Sequence, residues 1–387
     1  MKFSNYNVYL ENHPKQGYTT IYNLLTKECG CYLTSSLSDS STAKLFSSMK
    51  SKGFIIDDDF NELDAANKLY EKETRMEKKL SVMILLTSQC NCNCTYCYEK
   101  NETETFSNNF DCKKIVSFID SYMESSNATE KIEVIYYGGE PLLMKGAIDE
   151  VSSCLSQKYG KRFSFAIITN GTLLDSKDIL RWEHLGLKVL KITIDGNKES
   201  HNKRRKYQNG KPTYDDILSN LKKINSEVEI RINTVIDNNV FGFTELLEDL
   251  SHINIKTTFS INLTEPCFLS DENKVDLYVK YASELKKRNL FQFVKLAGTH
   301  GEICQAKRLH DYVIDGEGNI YPCNAEFNSI GNTSDYKFDI KKEYKYKEKC
   351  KDCKYLPICF GDCPFHETCQ KNYFDMLLPK LLKVYIQ

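Results

Sequence analysis

Four cysteines lie close together in the run Cys90-Asn-Cys92-Asn-Cys94-Thr-Tyr-Cys97. Three thiolates in so tight a loop can each bind one iron of a [4Fe-4S] cluster, which leaves the fourth iron without a protein ligand. The spacing of three residues and then two selects Cys90, Cys94 and Cys97 and leaves out Cys92. A zinc knuckle or a closed electron-transfer cluster is the alternative, but a fourth local ligand at a fitting spacing is missing. The loop therefore predicts an iron at which a small molecule can coordinate.

A second group of cysteines lies near the end of the chain, which has 16 cysteines in all. Its members are Cys304, Cys323, Cys350, Cys353, Cys359, Cys363 and Cys369. The first residues lack the apolar core of a secretory signal, so we expect a cytoplasmic location, where disulfides are rare. Clustered thiols in that compartment usually hold metal.

The first cysteine loop follows the first of six apolar runs, and each run is followed by a polar helical pattern. The runs are 81–87, 132–137, 163–169, 188–194, 228–236 and 257–263, and the last helix is predicted near 272–287. Such alternation predicts a parallel sheet covered by helices, in which sites gather at the carboxyl ends of the strands. The polar motifs described below come at those ends.

The flanking regions differ from this pattern. Residues 1–80 alternate short strands and helices, and residues 312–321 predict a hairpin with a glycine-rich turn. We expect three domains, at 1–80, 81–290 and 291–387. The last of these offers little apolar material for a core, so we expect bound metal to supply part of its stability.

Charge and hydropathy disfavour two classes of partner, although a net charge does not rule out a local basic patch. The formal net charge is -1, which gives no long-range field to attract nucleic acid or an anionic membrane. No apolar run approaches the roughly 20 residues that a membrane-spanning helix needs. We therefore expect neither a nucleic-acid nor a membrane partner.

The cysteine loop resembles the three-cysteine motif of the radical S-adenosylmethionine (radical SAM) superfamily. Further motifs follow in order at successive strand ends: Gly138-Gly-Glu-Pro141, Thr169-Asn-Gly171, Thr193-Ile-Asp-Gly196 and His201-Asn-Lys-Arg-Arg205. Singly, a glycine pair is often only a turn and Thr-Asn-Gly a helix cap, but their order favours the family. The resemblance implies an α/β fold with a partial (β/α)6 TIM-barrel core. It also implies SAM contacts at Tyr96, Gly138, Gly139, Glu140, Pro141, Thr169, Asn170, Thr193, Asp195, Arg205, Arg231 and Asn233.

The seven later cysteines resemble the SPASM domain, which is appended to radical SAM enzymes that act on peptides and proteins. The resemblance implies two auxiliary [4Fe-4S] clusters, three clusters in all, with two structural zinc sites as the alternative. Cys304, Cys323 and Cys363 match the first auxiliary cluster, and Cys350, Cys353, Cys359 and Cys369 match the second. The first lacks an obvious fourth ligand, for which Cys267 is the nearby upstream cysteine, and the gap before Cys369 is short for the family.

These resemblances imply a maturase that removes hydrogen from a ribosomal precursor peptide and installs a cross-link, either a thioether, a carbon–carbon bond or an ether. Residues 1–80 resemble the small winged-helix-like domain that binds the precursor's leader as an added strand. Flavodoxin or ferredoxin would supply electrons. One alternative is a formylglycine maturase for sulfatases, disfavoured by Asn324, where that branch carries an Asp base. Another is a peptide-binding protein with structural clusters only. The motifs identify no catalytic acid or base.

Overall fold

A computed structural model describes residues 1–38, 43–75, 79–100, 109–125, 130–236, 240–253, 257–263, 272–290, 304–336, 346–361, 363–365 and 369–386. The strands are β1 (Lys2–Phe3), β2 (Asn7–Glu11), β3 (Tyr18–Asn23), β4 (Cys29–Leu33), β5 (Ile55–Ile56), β6 (Lys79–Leu85), β7 (Lys131–Tyr137), β8 (Phe163–Thr169), β9 (Leu187–Thr193), β10 (Glu229–Ile236), β11 (Thr257–Leu263), β12 (Asp311–Asp315), β13 (Asn319–Tyr321) and β14 (Gly331–Asn332). The α-helices are α1 (Thr34–Ser38), α2 (Ala43–Ser51), α3 (Glu62–Arg75), α4 (Cys112–Ser125), α5 (Lys145–Tyr159), α6 (Ser176–Leu185), α7 (Lys198–Arg204), α8 (Tyr214–Lys222), α9 (Phe243–Ser251), α10 (Glu272–Lys287), α11 (Leu356–Cys359) and α12 (Lys371–Ile386).

The chain divides into two compact units. The barrel unit comprises Glu77–Thr264 and Arg308–Lys342, and the flanking unit comprises Met1–Met76, Glu265–Lys307 and Glu343–Gln387. No helix in the described part of the chain is long and apolar enough to cross a membrane.

The barrel unit is built on one sheet with the order β11-β10-β9-β8-β7-β6-β12-β13-β14. Strands β6 to β11 are parallel to their neighbours and correspond to the six predicted apolar runs. In β8 the buried Phe163, Phe165 and Ile167 alternate with half-buried residues. Because successive side chains point to opposite faces, one face of the sheet is covered while the other stays more open. The predicted parallel sheet of the α/β core is thus confirmed.

Residues 308–342 belong with the barrel unit, whereas the predicted domain boundary groups them with the C-terminal cysteines. Strand β12 lies parallel to β6, with Val313 opposite Met83, and then forms the predicted hairpin with β13. Met83, Leu85, Val313 and Tyr321 form one buried apolar cluster. Burial of these side chains accounts for the attachment of the hairpin to the sheet.

The flanking unit contains the antiparallel sheet β2-β3-β4 and the antiparallel pair β1-β5. Ile21, Met49, Phe54 and Ile55 form an apolar core between strands β3 and β5 and helix α2. This is the mixture of strands and helices that the first 80 residues predict.

The expectation that the C-terminal region has little apolar core is wrong. Helix α12 packs against α10 and buries one continuous face. The buried residues are Tyr373, Phe374, Leu377, Leu378, Leu381 and Leu382. Their spacing of three and four is a helical period, which the cysteines before it and Pro379 within it obscured in the sequence.

Candidate active site

The cysteine loop at 90–97 follows β6 and is held by the segment that follows α7. The backbone N–H of Asn93 donates to Lys206 O at 2.6 Å, and that of Thr95 donates to Arg204 O at 2.9 Å. The side-chain amide of Gln208 donates to Cys90 O at 3.1 Å and to Cys92 O at 3.0 Å. The loop therefore has an ordered backbone, because residues more than a hundred positions away satisfy its polar groups.

Cys90 has an environment that favours the thiolate. Its pKa is lowered, first by a hydrogen bond from the Cys92 thiol and also by the backbone N–H of Cys92, which donates to Cys90 Sγ at 3.4 Å. Asn170 Nδ2 donates to the same sulfur at 3.8 Å. Because thiolate is the form that binds metal, the site suits a metal ligand.

The other thiols of this loop are positioned differently. Burial raises the pKa of Cys97, and the nearby thiols of Cys94 and Cys90 raise this pKa further electrostatically. Cys92 is 3% exposed. Among the described residues, no three His, Cys, Asp or Glu side chains are arranged to hold a metal ion.

Gly138 and Gly139 let the loop after β7 approach the chain that leads from β6 to the cysteines. The N–H of Gly139 donates to Thr87 O at 2.8 Å, and the next N–H donates to Gln89 O at 2.9 Å. A Cβ on Gly138 would lie 2.5 Å from Thr87 O, and Gly138 also has a φ of +122°. Side chains at these two positions would therefore force the two backbone segments apart.

Glu140 is fully buried at the carboxyl edge of the sheet. Its carboxylate accepts hydrogen bonds from Leu142 N at 2.9 Å, Thr169 Oγ1 at 2.7 Å and Asn170 N at 2.8 Å. Burial raises its pKa to about 7, against the effect of these donors. No lysine, arginine or histidine in the described part of the chain forms an ion pair with it. A buried carboxylate of this kind can receive a cationic group from a ligand. Pro141 begins a 3-10 turn directly after it.

Tyr96 connects the cysteine loop to the end of β9. Its O–H donates to Asp195 Oδ2, and it accepts a hydrogen bond of 2.6 Å from Arg205 Nη1. The guanidinium of Arg204 lies 4.6 Å from the centre of the Tyr96 ring and 3.8 Å from Asp195 Oδ2. Asp195 also accepts from Val235 N at 3.0 Å. The aromatic ring is therefore fixed between two arginines and a buried carboxylate.

His201 fixes the turn that carries these groups. Asp195 N donates to His201 Nδ1 at 3.2 Å, so Nε2 carries the proton and donates to Thr213 Oγ1 at 3.0 Å. The Thr213 hydroxyl donates in turn to Arg205 O at 2.7 Å. Burial lowers the pKa of His201 well below 6.5, with Arg205 and Arg204 acting in the same direction. The imidazole is thus neutral and acts as a structural connector.

The remaining predicted SAM contacts lie on β9 and β10. Asn233 Nδ2 donates to Thr193 Oγ1 at 3.4 Å, and these residues are paired in register at the end of β9. Arg231 is two residues nearer the amino end of β10 and donates to Glu229 Oε1 at 2.9 Å. The structure therefore brings Thr193 and Asn233 together and places Arg231 further from the carboxyl edge.

Residues 84–255 match the model of the Radical SAM superfamily. The match begins in β6 and includes the cysteine loop, the glycine pair and the Tyr96 network. This chain contains a radical SAM domain. A radical SAM domain implies a [4Fe-4S] cluster and SAM, so the predicted class of enzyme is confirmed.

Comparison with known proteins shows what this radical SAM enzyme is similar to. It is 25% identical over 336 residues to the cysteine-type anaerobic sulfatase-maturating enzyme of Clostridium novyi (strain NT), covering 74% of this chain and 88% of that protein. Its fold is similar to that of anSMEcpe with bound AdoMet, with a TM-score of 0.60, 20% identity and coverage of 79% and 95% of the two chains. It is also similar to Streptococcus suis SuiB bound to the precursor peptide SuiA, with a TM-score of 0.54, 15% identity and coverage of 94% and 95%. At these identities the structural likeness concerns the fold.

Four of the later cysteines of the radical SAM enzyme line one cavity in the flanking unit: Cys350, Cys353, Cys359 and Cys369. Phe374 of α12 and Leu356 of α11 line the same cavity. Cys369 belongs to this group despite its short spacing from Cys363. The four residues that match the second auxiliary cluster are therefore neighbours.

The residues that match the first auxiliary cluster are divided between the two units. Cys304 and Cys363 belong to the flanking unit, and Cys323 belongs to the barrel unit. The N–H of Ala325 donates to Cys323 Sγ at 3.4 Å. Cys267, the upstream alternative, lies outside the described residues.

Sequence reasoning missed Arg204 and Gln208, which contact the cysteine loop. Arg204 lies over the ring of Tyr96, and Gln208 satisfies two carbonyls of the loop. Arg204 could have been found from the adjacent arginines after His201. Gln208 has no signal in the local sequence, because its role depends on contacts with residues 116 and 118 positions away.

Proposed function

We propose that this enzyme cleaves SAM reductively and uses the resulting 5'-deoxyadenosyl radical to remove hydrogen from a ribosomal precursor peptide, which then forms an intramolecular cross-link. The observation that supports SAM binding best is that the cysteine loop and the buried Glu140 carboxylate occur in the same region of the barrel unit. Both lie at the carboxyl edge of the parallel sheet, where such folds bind ligands.

Cys90, Cys94 and Cys97 would hold the cluster, and the thiolate environment of Cys90 fits that role. When bound, the cluster supplies an iron that chelates SAM and the electron that breaks its sulfonium–carbon bond. Glu140 would accept the ammonium group of SAM, because it is a buried carboxylate that forms no ion pair with any described lysine, arginine or histidine.

Other groups of the site would orient the rest of SAM. Thr193 and Asn233 offer a hydroxyl and an amide at the end of β9, suited to the polar groups of a ribose or carboxylate. Arg205 offers a cation for the SAM carboxylate while Tyr96 keeps it in place. These residues fix the position of the reactive carbon, which is the contribution that a radical reaction needs from the protein.

The case for a precursor peptide rests on how much of the chain shares a fold with a peptide-bound enzyme. The likeness to SuiB with its peptide SuiA covers 94% of this chain, against 79% for anSMEcpe with AdoMet. In the flanking unit, β4 is an edge of the β2-β3-β4 sheet. An edge strand has unpaired backbone groups that can bind an extended peptide as an added strand. We propose that the leader binds to the domain at 1–80.

The second candidate is a formylglycine maturase for sulfatases, and the sequence relatives favour it. Both the Clostridium novyi enzyme and the serine-type enzyme of Bacteroides thetaiotaomicron are anaerobic sulfatase-maturating enzymes. Asn324 argues against this candidate, because an amide cannot accept a proton as the Asp expected of that branch would. Its backbone O accepts from Tyr98 Oη at 3.2 Å.

We further propose three clusters, with the auxiliary pair held by Cys304, Cys323 and Cys363 and by Cys350, Cys353, Cys359 and Cys369. The shared cavity of the last four supports the second set. For the first set, three thiolates leave one iron without a cysteine from this chain. A cysteine of the substrate could occupy it, which would favour a thioether product.

Mass spectrometry distinguishes the two candidates. The anaerobically reconstituted enzyme is incubated with SAM, dithionite and either a short peptide encoded beside its gene or a sulfatase peptide with a Cys or Ser acceptor. We expect loss of two hydrogens from the short peptide, with fragments that remain joined across a ring. An aldehyde on the sulfatase peptide that reacts with a hydrazide, with the short peptide unchanged, would favour the second candidate and overturn the first.

A further inference from the structure

The cavity that contains four of the later cysteines is also lined by positively charged residues. We call it the four-cysteine cavity and define it by Cys350, Cys353, Cys359 and Cys369. The charged residues that line it are Lys347, Lys349 and Lys371. No Asp or Glu from the described part of the chain lines it. The cavity therefore combines four thiols with three positive charges.

The nearest carboxylates along the chain are paired with other lysines or exposed. Glu348 pairs with Lys351 at 2.7 Å, and Asp375 pairs with Lys354 at 2.9 Å. Asp352 is exposed and acts electrostatically on Lys351. Among the described residues the three lysines of the cavity form no ion pair, although Lys371 also lies within electrostatic reach of Asp375. The lining of the cavity thus carries net positive charge.

The four thiols surround a space and do not converge on one point. A zinc ion binds sulfur at about 2.3 Å, so its ligands must meet at a single position. Among the described residues, no three His, Cys, Asp or Glu side chains do so. A [4Fe-4S] cluster takes one thiolate at each iron, and its four ligands therefore stand further apart. The arrangement of the thiols fits the cluster better than the ion.

The charge of Lys349 acts on the sulfur atoms of this cavity. Burial raises the pKa of Cys350, and the thiols of Cys353 and Cys369 raise it further, whereas the backbone of Lys347 and the charge of Lys349 lower it. A cation that stabilises a thiolate at this position also stabilises an anionic group that the thiolates hold.

A cluster bound by four thiolates is an anion, and reduction by one electron makes it more negative. Nearby cations stabilise the reduced form more than the oxidised form, and the net charge of an iron–sulfur centre helps to set its reduction potential. We propose that Lys347, Lys349 and Lys371 raise the reduction potential of the second auxiliary cluster. None of the three is a ligand, so they act through charge alone. This inference rests on the proposed function, which assigns that cluster to the four-cysteine cavity.

Removal of charge tests the three lysines. The parent protein is the full chain with Cys90, Cys94 and Cys97 replaced by Ala, so that the SAM-binding cluster does not contribute. After reconstitution it is titrated anaerobically with dithionite and redox mediators, and electron paramagnetic resonance measures the fraction of reduced cluster at each potential. The signal of the second auxiliary cluster is the one that disappears when its four cysteines are also replaced by Ala.

In K347Q/K349Q/K371Q we expect the ratio of reduced to oxidised cluster at a fixed potential to fall about 10-fold, a shift of about 59 mV for a one-electron couple. K347R/K349R/K371R keeps the charges and should keep the potential of the parent. The effect of the Gln variant should narrow as ionic strength rises past about 0.15 M, because exposed charges are screened. An unchanged potential in the Gln variant, or the same fall in the Arg variant, would overturn the proposal.

The control variant K287Q/K380Q/K383Q removes the same amount of charge from the flanking unit. Lys380 and Lys383 lie about 13 and 18 Å beyond Lys371 along α12, and Lys287 ends α10 next to the residue that donates to Val384 O. Because screening weakens charges beyond about 8 Å, this variant should keep the potential of the parent. A fall equal to that of K347Q/K349Q/K371Q would contradict the proposal, since the shift would then follow net charge alone.

Iron content separates a failure of this inference from a failure of the proposed function. We expect K347Q/K349Q/K371Q to keep the iron of the parent, and a loss of about four irons would refute the proposal, because the lysines would then support assembly of the cluster. Stoichiometric zinc in the parent, with no iron lost when the four cysteines are replaced, would overturn the inference together with the proposed second auxiliary cluster. If the wild type forms no 5'-deoxyadenosine with SAM and dithionite, the proposed function fails, while the effect of the lysines on the potential is still measured.

Discussion

The backbone crossing at Gly139 gives a prediction that needs no cofactor. In Gly139→Ala the new Cβ would lie 2.4 Å from Gln89 O and 2.7 Å from Ser88 O, both backbone atoms. Ordinary contacts of a Cβ begin at 3.4 Å, so the two segments must separate by 3.4 − 2.4, about 1 Å. The hydrogen bonds of 2.8 and 2.9 Å that join them would then exceed bonding distance.

The cost has two parts. Loss of two backbone hydrogen bonds costs about 2 kcal/mol, and overpacking against backbone costs about 1–3 kcal/mol. We therefore expect Gly139→Ala to lower the free energy of unfolding by about 3–5 kcal/mol, a large part of the total for a domain. In the control Gly146→Ala, nothing lies within 4 Å of the new Cβ. Because Gly146 lies in α5, the control should be neutral or more stable by up to about 1 kcal/mol.

The chain's one tryptophan provides the assay. Trp182 is 1% exposed on α6, so its fluorescence during urea unfolding reports on the barrel unit. Iron content after reconstitution reports whether the displaced loop still assembles a cluster. The reasoning would be refuted if Gly139→Ala unfolds at the same urea concentration as Gly146→Ala and takes up the same amount of iron.

Three further predictions follow from the network and the cysteines. Tyr96→Phe removes the hydroxyl between Asp195 and Arg205, so we expect weaker SAM binding by calorimetry and a loss of about 1–3 kcal/mol in unfolding, whereas Tyr9→Phe on the exposed surface should leave SAM binding unchanged. The folded state lowers the pKa of His201, so its contribution to the free energy of unfolding is complete above pH 6.5 and falls below that pH by up to about 1.4 kcal/mol per pH unit. If the free energy of unfolding of His201→Gln depends on pH with the same slope as that of the wild type, this prediction is contradicted. Reconstitution should give roughly 12 irons per chain, and replacing Cys350, Cys353, Cys359 and Cys369 by Ala should remove about four, whereas stoichiometric zinc in the isolated protein would exclude clusters in that region.

The sequence predicts the barrel strands well because their signals are local. In runs such as Phe163 to Thr169 every residue except Ser164 is apolar, β-branched or aromatic, and the helical patterns between the runs require parallel pairing. Parallel pairing alone places Glu140, Thr169 and Thr193 at one edge of the sheet. The ends of the strands could therefore be recognised as a candidate site from the sequence alone.

Other features depend on tertiary contacts that leave no local pattern. The depth of Arg231 follows from its register with Lys191, two residues before Thr193, and a sequence does not state register. The bonds from Gln208 to the cysteine loop join parts of the chain separated by more than a hundred residues. The core of α12 was missed for a different reason, since cysteines beside an apolar helix suggested that metal replaced the core.

The most direct test of SAM cleavage compares cysteine variants within one loop. Enzyme reconstituted anaerobically is mixed with SAM and dithionite, and 5'-deoxyadenosine is measured by chromatography. We expect the wild type and Cys92→Ala to form it, and a variant with Cys90, Cys94 and Cys97 all replaced by Ala to form none while it still binds auxiliary iron. Formation of 5'-deoxyadenosine by that triple variant would contradict the assignment of the loop.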